Sequence, residues 1–244
     1  MNTHLLLSTL NLALGGLVFL LGVVILRENP GHRVNRVVAL MLFFGGVGAI
    51  LAGIAFLVSG PAGHEARQTP ELLNSVSYLW EFFFPTLFLF ACLFPDERAF
   101  VRRLVLFPGR WWTPGFGTLV FAPHTFHFAL TLLLMAWKPN FNVPAQGGLH
   151  LLGPVIGVLG VFVNLFVLVH RALFSLVNLG FGGATMALLV DSTRRATVPR
   201  IRQQLRVITL GLGACLLFYS IATLIPTLLN LRLAESVRAG FIIA

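Results

Sequence analysis

The sequence predicts an all-α fold, a polytopic helical membrane bundle of about seven transmembrane helices with the N-terminus outside. Three observations carry this. Hydrophobic residues make up 57% of the chain and charged ones 10%, with a mean hydropathy of +0.89, whereas a soluble domain is about 25% charged. Several apolar runs exceed the ~20 residues that cross ~30 Å of hydrocarbon as helix, and the short alternating segments of a membrane barrel are absent. The arginines sit in short connections at the ends of those runs. That is the positive-inside pattern, so the net charge of +9 points to a lipid bilayer as partner and not to nucleic acid.

The first span covers about residues 5–26 and is read as an uncleaved anchor, because Met1-Asn-Thr-His lacks the positive start of a signal peptide. Arg27 and a Pro30-Gly31 turn end it. The second, about 37–59, carries Gly45, Gly46, Gly48 and Gly53, small residues that let helices approach closely in lipid. A polar loop follows at 60–70. The third span, about 72–94, is rich in aromatics and holds Glu81 and Pro85, and Pro95-Asp-Glu-Arg closes it. The fourth, about 115–137, has His124 and His127 near its middle, with Trp111, Trp112 and Trp137 at its ends as interfacial anchors. The sixth runs about 207–229, and a further apolar run begins near Ala239. Its six residues give ~9 Å of helix, too short to cross. The chain therefore reads as one seven-helix domain over 1–244 whose last span is incomplete. Cys92 and Cys215 both lie in apolar runs and read as small core residues.

Loop charge sets the topology. The connections 27–36, 95–113 and 191–206 hold three, four and five arginines, twelve of the seventeen basic residues, and are assigned to the cytoplasm. Arg194, Arg195, Arg200, Arg202 and Arg206 form the strongest of these signals. An odd number of crossings must then lie between 138 and 191. The apolar stretch 149–190 would be a helix of ~63 Å, twice the hydrocarbon thickness. The fifth span is therefore expected at 173–190. Residues 149–170 become a re-entrant or interfacial segment loosened by Gly153-Pro154 and Gly160, with Asn164, His170-Arg171 and Asn178 anchoring it at the outer surface.

Three features carry a family likeness. The third span reads Trp80-Glu-Phe-Phe-Phe-Pro-Thr-Leu-Phe-Leu-Phe-Ala-Cys-Leu-Phe-Pro-Asp-Glu-Arg98, the sixth is entered by Arg200-Ile-Arg-Gln-Gln-Leu-Arg-Val-Ile-Thr-Leu-Gly211, and Asn11 lies in the first span ahead of Arg27. With this layout the chain resembles the N-terminal seven-transmembrane region of bacterial sensor histidine kinases and related membrane signalling proteins. The resemblance implies a multi-pass sensor in the bacterial inner membrane and a homodimer. It also implies a small-molecule or membrane-derived stimulus, and a cytoplasmic output domain beyond residue 244. The apolar stretch 149–170 departs from the shorter outer loop that the family implies.

Glu81 stands out chemically. An ionisable group at membrane depth costs about 2.5–3.5 kcal/mol or more and faces the bundle interior. It is either a ligand contact or a carboxyl that ties helices together. His124 and His127, three apart, share a helix face, and Tyr78, Trp80 and 82–84 either line a pocket with them or pack as ordinary aromatics. Glu81, His124 and His127 have the donor types of an N, N, O metal site. Spacing alone is weak and no second His pair accompanies them, so no metal and no cofactor is assigned. Walker, GxSxG and Ser/His/Asp patterns are absent, which leaves no catalytic residue to name. The expected function is a sensory input module that passes a stimulus inward by helix displacement. The alternative is a small transporter with Glu81, His124 and His127 as its coupling site, though no internal repeat accompanies it.

Overall fold

The computed structural model describes residues 3–59, 73, 76, 78–102, 115–137 and 153–229. Among these there are eight α-helices and no strand. They are α1 (Thr3–Glu28), α2 (Arg33–Ser59), α3 (Phe83–Leu93), α4 (Ala99–Arg102), α5 (Phe116–Trp137), α6 (Gly153–Arg195), α7 (Pro199–Tyr219) and α8 (Ile225–Leu228). A 3₁₀ helix at Tyr78–Phe82 leads into α3, and a π-helical turn at Ser220–Leu224 joins α7 to α8. Six stretches are long and apolar enough to cross a bilayer, which makes this the architecture of a multi-pass membrane protein. Their outward faces are apolar, as lipid contact requires: Leu14, Leu17, Leu20, Leu119, Phe126, Leu210 and Leu217 are all exposed. The readings placed on the 60–70 loop, on Arg103, Arg110, Trp111 and Trp112, on 138–152, on the side chains of Trp137 and Arg171, and on 230–244 lie outside the described residues.

The shortest of the long elements is the central one. α3 is buried at every position from Phe84 to Leu93 but Phe88, and it packs against α2, α5 and α6. With its 3₁₀ entry it rises about 26 Å, close to the hydrocarbon thickness. α1 and α2 pair along their lengths because glycine lets their backbones touch. A Cβ on Gly15 would lie 2.8 Å from the Gly46 carbonyl oxygen, and one on Gly46 the same distance from that of Gly15. Ser8 seals the same seam by donating to the Gly53 carbonyl at 2.7 Å. A Cβ on Gly48 would meet Trp80, so the third of these small residues seats the 3₁₀ helix against α2. Asn11 satisfies its buried amide on its own helix, donating to Leu7 O.

The expected break in 149–190 does not occur. From Gly153 to Arg195 the chain is one uninterrupted helix of 43 residues, ~65 Å long. Pro154 is its second residue, where a missing N–H costs nothing and the fixed φ favours helix initiation. The isolated Gly157 and Gly160 cost only ~1 kcal/mol each. Residues 153–170 are thus one helix with the following span instead of a separate re-entrant segment. His170 Nδ1 turns back to Phe166 O and Val167 O of the same helix. The two halves differ in packing. Gly153–His170 is 6% buried and Ala172–Arg195 33%, so the bundle is built on the second half.

Among the described residues one helix, α6, lies between α5 and α7. Arg33 at the start of α2 pairs with Glu97 at 3.1 Å. Arg98 pairs with Asp191 and also donates to Leu188 O and Ser192 Oγ. The connections at 27–36, 95–98 and 191–198 therefore lie at one end of the bundle. Just inside this basic end sits an apolar core that includes Val37, Leu89, Leu93, Val101, Val120, Leu189 and Leu205.

Candidate functional site

Several polar residues of the spans meet in one place, and proline shapes the backbone at three of the four approaches. Pro85 lacks the N–H that would bond to the Glu81 carbonyl, and the chain changes from 3₁₀ to α winding immediately after Glu81 and Phe82. Pro123 lies inside α5 directly before His124. Pro226 leaves the Ala222 carbonyl without its helical donor, within the π-helical turn that begins one residue after Tyr219. Such interruptions recur in helices that carry functional groups.

The side chains form two linked pairs. Glu81 Oε2 lies 3.0 Å from His127 Nδ1, with both residues buried. His124 Nε2 lies 2.8 Å from Asn178 Oδ1, and Asn178 Nδ2 donates to the Tyr219 hydroxyl at 3.4 Å. The His127 ring stacks flat on Phe174 at 3.7 Å and 7°, and Tyr78 meets it edge-on at 5.0 Å. The Tyr78 hydroxyl is 3.5 Å from His170 Nε2. The 3₁₀ helix, α5, α6 and α7 are thereby joined at membrane depth through polar groups alone.

The donor and acceptor roles leave a definite gap. The Asn178 carbonyl oxygen accepts from His124 Nε2, and in the neutral ring Nδ1 is then a lone pair. The Glu81 carboxylate accepts from His127 Nδ1, and in the neutral ring Nε2 is then a lone pair too. Among the described residues neither nitrogen has a hydrogen-bond partner, and neither has the buried hydroxyl of Thr131. Residues 124, 127 and 131 fall on one face of α5. A buried polar atom without a partner costs ~1–3 kcal/mol, and three on one face form a stripe suited to hydrogen-bond donors, whether water, a ligand or a bound proton.

Of the residues singled out in the sequence, Glu81, His124, His127 and Tyr78 belong to this cluster. Trp80 does not face the histidines: it packs on Tyr219 and Phe84 at ring distances of 5.9 and 5.7 Å. The N, N, O metal triple is not assembled, since His127 turns to Glu81 and His124 to Asn178. Among the described residues no group of three His, Cys, Asp or Glu is placed to hold a metal ion. No family model, curated protein or solved structure matches the chain. The site must be read from its own geometry. Asn178 is fully buried in the cluster instead of anchoring the outer surface, and His170 is beside Tyr78 and 5.6 Å from the His127 ring. A signal for both was present: positions 170, 174 and 178 are spaced by four and share one face of a helix. Nothing in the sequence flagged Tyr219.

The five arginines of 191–206 are exposed and remote from this cluster, at the basic end. A cleft of about 440 Å³ opens beside them, lined by the 95–99 turn and by Ser192, Arg195, Thr197 and Ile201. Between the cluster and the Arg98–Asp191 ion pair lies an aromatic layer in which Phe88 packs on Phe116 and Phe181, and Phe181 on His124. Thr185, the buried hydroxyl on the way, is spent on its own helix at Phe181 O.

Proposed function

We propose that this chain is the sensory input module of a histidine-kinase-like membrane receptor, with the cluster of Glu81, His127, His124, Asn178 and Tyr219 as its stimulus-responsive site. It lies in the bacterial inner membrane with the N-terminus outside and the basic end in the cytoplasm. α1, α2, α3, α5, α6 and α7 cross it, and a seventh span leads to a cytoplasmic output. One observation carries the reading: the buried cluster and the ion-pair clamp at the basic end share the same two chain segments. The segment 78–98 contributes Glu81 and Arg98, and α6 contributes Asn178 and Asp191. A ligand or proton that favours one arrangement of the cluster shifts 78–98 against α6, and the shift reaches the clamp. This is a population shift between two packings, driven by differential affinity.

The polar string spans residues 170–178 of α6, ~12 Å along the axis, and the aromatic layer closes it toward the basic end. A cluster closed toward the basic end supports sensing over transport. The test uses the chain in nanodiscs with spin labels at exposed Asp96 and Thr197. A distance distribution that changes with pH or with a candidate ligand, and that Glu81→Gln freezes, is the expected result. Solute uptake into proteoliposomes that Glu81→Gln abolishes would make it a transporter instead.

A further inference from the structure

The arginines of 191–206 do more than set the topology. This stretch holds five arginines against one aspartate, a net of +4, and the aspartate is taken twice, by Arg98 and by Arg195. Arg202 turns back to the Ala196 carbonyl at 2.7 Å, closing the C-terminal end of α6. Arg194, Arg200 and Arg206 are exposed and form no ion pair or hydrogen bond among the described residues.

Their level relative to lipid follows from α7. Arg206, Leu210, Ala214 and Leu217 are exposed and fall on one face by their spacing. Val207, Leu210 and Leu217 leave 66%, 75% and 59% of their surface uncovered, an apolar stripe that must lie against acyl chains. Arg206 is one turn, ~6 Å, on the basic-end side of Leu210, so its long side chain can extend from the edge of the apolar stripe toward headgroup phosphates. A guanidinium offers a planar fork of donors that matches phosphate oxygens. A zwitterionic headgroup brings its own cation to that phosphate, whereas an anionic one leaves its charge for the protein.

We propose that Arg194, Arg200 and Arg206 form a binding site for anionic phospholipid headgroups, with the acyl chains lying along the Leu210–Leu217 stripe of α7. Because the site adjoins the 196–198 turn and the Arg98–Asp191 clamp, lipid charge acts where the helix ends meet. The inference is independent of what the buried cluster senses.

The test is lipid binding to the purified chain in detergent, measured by native mass spectrometry with phosphatidylglycerol and phosphatidylcholine in parallel. The expected result is preferential retention of phosphatidylglycerol. The triple variant R194Q/R200Q/R206Q lowers that affinity about 10²-fold, at about fivefold per arginine, and leaves phosphatidylcholine retention unchanged. Should the triple variant not fold, R206Q alone is read, at about fivefold. Equal retention of the two lipids by the wild type, or phosphatidylglycerol affinity of the variant within twofold of wild type, overturns the proposal. Displacement of the lipid by millimolar inorganic phosphate overturns it as well, since that removes the acyl stripe from the site.

Discussion

The Glu81–His127 pair is open to a double-mutant cycle, and the structure supplies the substitutions. Glu81→Leu removes the carboxyl and leaves His127 with both ring nitrogens buried and unpartnered, where one already is. His127→Phe keeps a flat ring on Phe174, now 3.7 Å from the imidazole, but strands the carboxyl of Glu81. Each single change costs ~1–3 kcal/mol as an unsatisfied buried polar group, rising to ~3–5 kcal/mol if the pair is ionised. The double variant strands nothing, because a leucine faces a phenylalanine, and its cost is near zero apart from repacking. The sum of the singles therefore exceeds the double by more than ~1 kcal/mol. Reversible unfolding of the purified chain in mixed micelles, titrated with a denaturing surfactant, measures all four corners. Additivity within ~0.5 kcal/mol, the behaviour of independent sites, would show that the two side chains do not interact and would remove the core of the proposed site.

Three further outcomes follow from the packing. Gly46→Ala places a Cβ 2.8 Å from Gly15 O and 2.9 Å from Phe19 N, backbone atoms that cannot rotate away. It should destabilise the α1–α2 pair by ~1–3 kcal/mol, while Gly45→Ala, whose Cβ meets Phe83 at an ordinary 3.7 Å, is neutral in the same unfolding assay. Asn178→Leu strands His124 Nε2 and cuts the link to Tyr219, at ~1–3 kcal/mol. Asn164→Leu on the exposed face of α6 should show no such loss. Arg98→Gln gives up bonds to Asp191, Leu188 O and Ser192, so spin labels at Asp96 and Thr197 should report a broader distance distribution. An unchanged distribution would mean the clamp does not hold 95–98 against α6.

Long apolar runs and loop arginines made most of the fold legible, because a bilayer leaves a helical chain few alternatives. The close approach at Gly46, Gly48 and Gly53 was legible for the same reason, since small residues are what lipid-phase packing selects. The misreading of 149–190 came from applying the bilayer thickness to one helix as an upper limit. Helix continuity is a local property, and between Pro154 at its start and Arg195 at its end nothing in the sequence is costly enough to break α6. The site was half legible for a related reason. Glu81 and the His124–His127 spacing declare themselves against an apolar background, but Asn178 and Tyr219 become polar partners only through packing. What the sequence did contain was proline. Pro85, Pro123 and Pro226 stand four residues after Glu81, directly before His124 and seven residues after Tyr219. Three helices that each bring a polar group to the cluster also carry an irregular or weakened turn close to it. α6, the helix that supplies Asn178, has no proline after Pro154. Under the proposed sensory function, a stiff helix against three locally weakened ones would make α6 the reference against which the others move. The Asp191 end of α6 would then be the natural place for that movement to be read.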